Sequence, residues 1–228
     1  MNRLRRVLED AVQVELAIWR NLARWIVRRP DAPAGAIQLG YGRLTAPVLW
    51  LWIFGSFAEV AALELVLRSI DATWAHVARI PLFVVGMWGA LWMLGMAASF
   101  SVRRHLVLAD RLRIRNGPRF RVDVPLDAVV AVRGVEHEFE GLVRTVYEDD
   151  GLLLVGPGHR TNVELALVGP TVLATHDGER LVDRVGFWVD EPREVVRLLQ
   201  TRLGPGVGPK VSRPASSSVR PPAREPRR

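Results

Sequence analysis

Ile80-Pro-Leu-Phe-Val-Val-Gly-Met-Trp-Gly-Ala-Leu-Trp-Met-Leu-Gly-Met-Ala-Ala-Ser-Phe-Ser-Val102 runs for 23 residues without a charge. At about 1.5 Å of rise per residue, a helix of this length reaches roughly 34 Å, enough to cross the hydrocarbon of a bilayer. Arg79 precedes the run, and Arg103, Arg104 and His105 follow it. The stretch divides the chain. Seven of the eight Trp and all four Met lie before residue 101, while the sequence after Arg104 alternates with period two.

Toward the N-terminus, Leu44–Leu67 is a second apolar run, free of charge from Leu44 to Ala58 and then carrying Glu59 and Glu64. Trp50 and Trp52 suit an interface belt or a lipid-facing wall. Glu64 and Arg68 stand four apart and are expected to pair near the far interface. Glu59 has no basic residue one turn away and would lie about 22 Å in from Leu44. A carboxylate at that depth must be protonated, hydrogen-bonded or turned toward other protein. It is either an intramembrane site for an ion, a proton or an oligomer contact, or a protonated Glu bonded to the neighbouring helix. The short link Ser69–Arg79 forces an antiparallel hairpin of spans 44–67 and 80–102. Ala58 with Ala62, and Gly86 with Ala90, are small pairs that allow close helix approach.

Arginine in the short flanks sets the expected orientation. Arg20, Arg24, Arg28, Arg29 and Arg43 lie on one side, Arg103, Arg104, Arg111, Arg113 and Arg115 on the other, and the link holds Arg68 and Arg79. The positive-inside rule then puts both termini in the cytoplasm of a cell (inner) membrane protein. Net charge is +7, and Lys210 is the single lysine among 31 basic residues, a bias that a GC-rich genome would produce. Basicity suggests an anionic partner without naming one. The absence of Cys excludes disulfides, thiolate metal sites and thiol chemistry.

Residues 2–29 read as an amphipathic helix. Arg3, Arg6, Asp10, Gln13, Arg20, Arg24 and Arg28 form one stripe, opposite Leu4, Leu8, Ala11, Ile18, Trp19, Leu22 and Ile26. Glu15, Arg20 and Arg24 break any secretory h-region. Such a helix lies in the plane of an anionic membrane, or packs on the cytoplasmic domain or a second copy. Pro30, Pro33, Gly35, Gly40 and Gly42 make a loose linker to the first span.

Beyond the second span, Arg111-Leu-Arg-Ile-Arg-Asn-Gly-Pro-Arg-Phe-Arg-Val-Asp-Val124 alternates cleanly. Leu112, Ile114, Phe120, Val122 and Val124 share one face. Arg111, Arg113, Arg115, Arg119, Arg121 and Asp123 share the other. A three-residue turn, Asn116–Pro118, would pair Arg115 with Arg119, Ile114 with Phe120 and Leu112 with Val122, keeping both faces pure. Strands are expected at Val129–Val135, Leu152–Val155, Asn162–Val168, Thr171–Thr175 and Leu181–Val189. A helix N-capped by Asp190 runs to about Leu203, with Val195, Val196, Leu198, Leu199 and Leu203 as its apolar face. Antiparallel strands closed by one helix describe a barrel-like α+β module.

Residues 103–203 resemble the bacterial pleckstrin-homology-like (PH-like) domains attached to short transmembrane hairpins. The resemblance is carried by Arg104-His105, Leu112-Arg-Ile-Arg-Asn-Gly, Val124-Pro-Leu-Asp-Ala-Val-Val, Asn162-Val-Glu-Leu-Ala-Leu and Val189-Asp-Glu-Pro. Trp88-Gly-Ala-Leu-Trp-Met-Leu-Gly95 is similar to a stretch in uncharacterised membrane proteins of actinobacteria. The resemblance implies a fold and a membrane location. It implies no activity and no site residue.

Catalytic signatures are thin. His76, His105, His137, His159 and His176 form no HExxH pair, and no GxSxG, P-loop or Rossmann fingerprint occurs. Glu136, His137, Glu138 and Glu140 read as a solvated acidic loop rather than a metal site. The sequence therefore predicts a non-enzymatic protein with no cofactor and no metal. The expected architecture is an α+β membrane protein. An amphipathic helix and linker (1–43) lead into a transmembrane hairpin (44–102), an antiparallel PH-like β domain closed by a C-terminal helix (103–203) and a disordered tail (204–228). The arginine face of Arg111, Arg113, Arg115, Arg119 and Arg121 is the candidate site for anionic phospholipid headgroups or an acidic partner, since like charges on one face need anions or carboxylates between them. Glu59 is the candidate intramembrane polar site, as in an accessory subunit of a transport or envelope-enzyme complex. Expected partners are the lipid bilayer and a membrane protein or second copy. Nucleic acid is disfavoured, because aromatics do not interleave on the arginine face.

Overall fold

The computed structural model describes residues 2–139, 146–176 and 178–204. The predicted tail lies outside them from residue 205 onward, and so does Glu140 of the acidic loop. Helix α1 (Asn2–Ile26) is followed by strand β1 (Ile37–Leu39) and the helices α2 (Ala46–Ser69) and α3 (Thr73–Val102). Then come β2 (His105–Val107), β3 (Arg111–Asn116), β4 (Phe120–Pro125), β5 (Val129–Arg133), β6 (His137–Glu138), β7 (Val146–Asp149), β8 (Leu152–Val155), β9 (Arg160–Thr161), β10 (Val163–Thr175), β11 (Gly178–Phe187) and α4 (Pro192–Leu203). The chain is mixed α+β, with a mostly antiparallel sheet.

Both apolar runs are helices long and apolar enough to cross a membrane. The second begins seven residues earlier than expected, so the link shrinks to Ile70–Ala72. Within α2, Ile53, Val60 and Leu67 are buried, one every seventh residue. Trp50, Leu51, Trp52, Phe54 and Leu65 are exposed. The expected small-residue contact holds on one side. Ala90 is buried, and a Cβ on Gly86 would sit 2.6 Å from Val60, whereas Ala58 and Ala62 face outward. The early start of α3 also changes an ion pair. Glu64 bonds Arg79 across the hairpin at 3.1 Å instead of Arg68 on its own helix.

The sheet runs β1-β2-β3-β4-β10-β11-β8-β7, with β5 also paired to β10. It is open rather than barrel-like, because β1 and β7 are edges, and β8 pairs β11 in parallel. Leu112, Ile114, Val122 and Val124 are fully buried, as the alternation requires. They pack with Leu165, Leu173, Val185 and Phe187 and with Val195 and Leu199 of α4. The β3–β4 register differs from the expected one by two residues. Leu112 faces Val124, Ile114 faces Val122 and Asn116 faces Phe120, leaving Gly117–Arg119 as the turn. A two-residue slip keeps every side chain on its face, so alternation fixes the parity of the register and not its value. Gly117, at φ +59°, opens the turn, and Arg103 donates to the carbonyls of Gly117 (3.1 Å) and Arg119 (3.3 Å).

The segment read as a loose linker is part of the fold. Ile37–Leu39 pairs with β2 as the sheet's first strand, and Tyr41 is fully buried. The β domain is therefore joined to the helical hairpin twice, through β1 before α2 and through Arg103–Arg104 after α3. Asp190 serves this joint and not α4. Its carboxylate accepts the Arg43 N–H at 2.9 Å and its own N–H bonds Gly40, while Glu191 takes the N-cap position.

Candidate functional site

The site is built where α1, α3 and the β3–β4 hairpin meet. Helix α1 runs alongside the end of α3. Ala17, Ile18 and Leu22 are buried there, and Gly95 permits the approach, since a Cβ on it would lie 2.5 Å from Ile18. Asn21 donates to Ser99 at 3.0 Å. The Glu15 carboxylate accepts the indole N–H of Trp19 (2.8 Å) and of Trp92 (2.7 Å). Meanwhile Leu8, Val12 and Leu16 form an exposed stripe. The helix is expected on a membrane surface, on the β domain or on a second copy; its buried face packs instead on the apolar helix α3, and its other face presents apolar side chains outward.

Most of the arginine face is neutralised within the chain. Arg111 bonds Asp110, with its shortest contact at 2.6 Å, and Arg113 grips Asp123 through two bonds of 2.6 and 2.9 Å. Arg119 reaches α1, donating to Gln13 (2.7 Å) and the Asp10 carbonyl (3.3 Å). Arg115 is buried. It donates to the Asp31 carbonyl at 2.6 Å and lies 3.7 Å from the Asp31 carboxylate. Arg121 is exposed, and no ion pair holds its guanidinium among the described residues. Asp31 also pairs with Arg24 and lies 3.7 Å from buried Arg103. Burial alone would raise its pKa, but the bond from Arg24 and the charges of Arg115, Arg24 and Arg103 hold it below the ordinary aspartate value.

Behind this node sits a neutral histidine. His105 is fully buried, stacked on Tyr41 at 4.4 Å and edge-on to Phe187 at 5.6 Å. Its Nδ1 accepts the Arg115 N–H at 2.9 Å, so the ring proton resides on Nε2, which donates to the Trp188 carbonyl at 2.8 Å. A second ring proton would point at the Arg115 N–H. Desolvation, with the nearby Arg115 charge, outweighs the Trp188 bond and pushes the pKa down to about 4.

Two concavities flank the junction. One is shallow and lined by Trp25, Arg28, Arg29, Gln38, Ser101 and Arg104, with no carboxylate in its lining. Arg28, Arg29 and Arg104 are exposed, and none has an ion-pair partner among the described residues. Arg28 is at φ +54°. The Arg29 N–H bonds the Arg24 carbonyl (2.9 Å) and the Arg28 N–H bonds Trp25 (3.1 Å), a Schellman end whose left-handed position ordinarily favours glycine. The second is a cavity of about 620 Å³. Its apolar wall includes Leu49, Trp50, Leu94 and Ala97, and its polar rim includes Arg43, Arg104, Glu191 and Glu194.

The remaining candidates lie apart from the junction. Glu59 is exposed and lines a groove of about 360 Å³ between α2 and α3 with Ser56, Glu64, Arg79, Trp92 and Met93. No hydrogen bond joins it to the neighbouring helix among the described residues. The stretch expected as a solvated acidic loop is in part strand β6, paired with β9, where His137 bonds Glu164 at 2.8 Å and Glu138 pairs with Arg160. No group of three or more metal-ligating side chains forms among the described residues.

No family model matches the chain, no curated protein matches it, and no solved structure matches its fold. Sequence reasoning missed Asp31, Tyr41 and His105 as junction residues. The available signal was the pair of prolines around Asp31, which ends α1 and turns the chain back, so that the Asp31 N–H bonds Val102 at the end of α3.

Proposed function

We propose that the chain is an integral protein of the cell (inner) membrane that crosses twice, with both termini cytoplasmic. Its β domain is a non-enzymatic, PH-like binding module held against an anionic leaflet. The observation that carries this reading is the cluster of Arg28, Arg29 and Arg104, which is free of carboxylates and level with the end of α3. Arg119 and Arg115 hold the domain to α1 and the linker, and the helix-end arginines meet lipid phosphate. Each contributes on the order of 1 kcal/mol near an anionic surface. The exposed Trp25 and Trp50, and the Leu8–Val12–Leu16 stripe, suit the interfacial layer.

Because the chain has no Cys, single-cysteine labelling reads the topology directly. Asp71→Cys should react with an impermeant maleimide in intact cells, and Arg193→Cys only after lysis; the reverse pattern sinks the reading. The full chain, extracted from a mixed membrane, should retain phosphatidylglycerol in a salt-sensitive way. Arg28→Gln with Arg29→Gln should lose that enrichment, whereas Arg111→Gln with Arg121→Gln should keep it. The exposed Glu59 favours one second reading, an accessory subunit that docks a partner helix in the α2–α3 groove. Loss of a stoichiometric membrane partner in Glu59→Gln would support it.

A further inference from the structure

The 620 Å³ cavity has a charge pattern that the basic cluster lacks. Its wall of Leu49, Trp50, Leu94 and Ala97 comes from the first turn of α2 and the last turns of α3, so it continues the apolar faces these helices turn outward. Its rim comes from the linker, the end of α3 and α4. Three rim groups are already engaged, since Arg43 bonds Glu191 at 3.0 Å and Asp190 accepts the Arg43 N–H at 2.9 Å. Two are not. Arg104 and Glu194 are exposed and have no ion-pair partner among the described residues. One free cation and one free carboxylate therefore border a single apolar-walled cavity, whose volume falls in the ordinary range for small-molecule sites.

An anionic lipid would leave Glu194 facing a negative headgroup. A fatty acid would leave it unmatched as well. We infer that the cavity binds one phospholipid whose headgroup carries both a phosphate and a primary amine. Arg104 takes the phosphate, Glu194 takes the ammonium, and the acyl chains lie along Leu49, Trp50, Leu94 and Ala97. A primary ammonium donates hydrogen bonds to a carboxylate, which a trimethylated one cannot, so an ethanolamine headgroup is favoured over choline. This inference rests on the membrane topology proposed above and deepens it.

The test is native mass spectrometry of the full chain released from nanodiscs of equimolar phosphatidylethanolamine, phosphatidylcholine and phosphatidylglycerol. One phosphatidylethanolamine should be retained per chain, preferred roughly tenfold over phosphatidylcholine, and over phosphatidylglycerol once Arg28→Gln with Arg29→Gln has removed anionic lipid from the basic cluster. Glu194→Gln should abolish the preference over phosphatidylcholine, Arg104→Gln should lower retention of all three lipids, and Arg121→Gln should change nothing. Ala97→Phe, which fills the apolar wall without touching a charge, should evict the lipid. Equal retention of phosphatidylethanolamine and phosphatidylcholine, or an unchanged preference in Glu194→Gln, overturns the inference. Asp71→Cys labelling fails independently if the topology is wrong, so a chain with the proposed topology and no retained phosphatidylethanolamine loses this inference alone.

Discussion

Two groups of arginines gather around the C-terminal end of the second apolar helix and meet opposite fates. Arg103, Arg113 and Arg115 are buried or half-buried, each beside an aspartate or a turn carbonyl. Arg28, Arg29 and Arg104 are exposed, with no carboxylate in their concavity. The residue type is the same, and what differs is whether the chain supplies the anion. A planar guanidinium that finds its carboxylate inside the chain becomes part of the fold. One that does not stays in solvent, where an anion from outside can reach it. Net charge cannot separate the two groups, since +7 is a sum over both.

The sharpest way to break the contrast is to remove the shared internal anion. Asp31→Asn keeps the backbone carbonyl that Arg115 uses but strips the charge from between Arg24, Arg103 and Arg115. Two buried guanidiniums lose their counter-charge, which should cost about 3–5 kcal/mol. Denaturant unfolding of the full chain in micelles, followed by Trp fluorescence, reads this. Arg28→Gln with Arg29→Gln should change stability by about 0.5 kcal/mol or less. Equal effects of the two substitutions would mean that the groups do not differ. Acid probes the same anion. With its pKa depressed in the fold, Asp31 stabilises at pH values above its ordinary 3.8, and this contribution is lost as pH falls through the lower folded value.

His105 gives the next largest effect, in a separate pH window. Its unfolded form takes a proton near 6.5 and its folded form near 4. Stability should therefore hold above pH 6.5, fall by about 3 kcal/mol as pH drops to 4, and level off below until Asp31 titrates. His105→Gln should flatten that slope whatever its effect on stability at neutral pH. A slope that survives the substitution would place the titrating group elsewhere. The internally paired arginines would feel this transition through the Arg115 N–H, while Arg28 and Arg29 would not.

How much of this was legible in the sequence depends on how far apart the partners lie. The buried face of Leu112, Ile114, Val122 and Val124 followed from alternation alone, and both apolar helices followed from length and hydropathy. The value of the β3–β4 register did not, because slips of two residues look identical to a period-two pattern. Strand β1 has three residues, too few to show a period, and it lies among glycines and prolines that ordinarily mark a loop. Gly169-Pro170 reads as a break between two strands, yet β10 continues through it by shifting register between Ala166 and Thr171. The arginine stripe was visible, and so was Asp123 on the same face, but the distant partners at this junction were not. Asp31 lies 84 residues from Arg115, and Glu15 lies 77 from Trp92. Separations of that size carry no local pattern.

The smallest effect is the most diagnostic, because it should change sign between two readouts. Arg28 occupies the left-handed position of a Schellman end, where an L side chain costs about 1 kcal/mol relative to glycine. If that arginine served only the helix end, Arg28→Gly would be an improvement in every respect. If it is there for an external anion, Arg28→Gly should stabilise the chain by about 1 kcal/mol and also lower the retention of phosphatidylglycerol. Arg29→Gly, at a position with an ordinary backbone angle, should lower lipid retention without the gain in stability. An Arg28→Gly chain that is more stable and holds anionic lipid as well as the parent would show that the exposed cluster, too, is structural. The difference between the two arginine groups would then be one of packing and not of purpose.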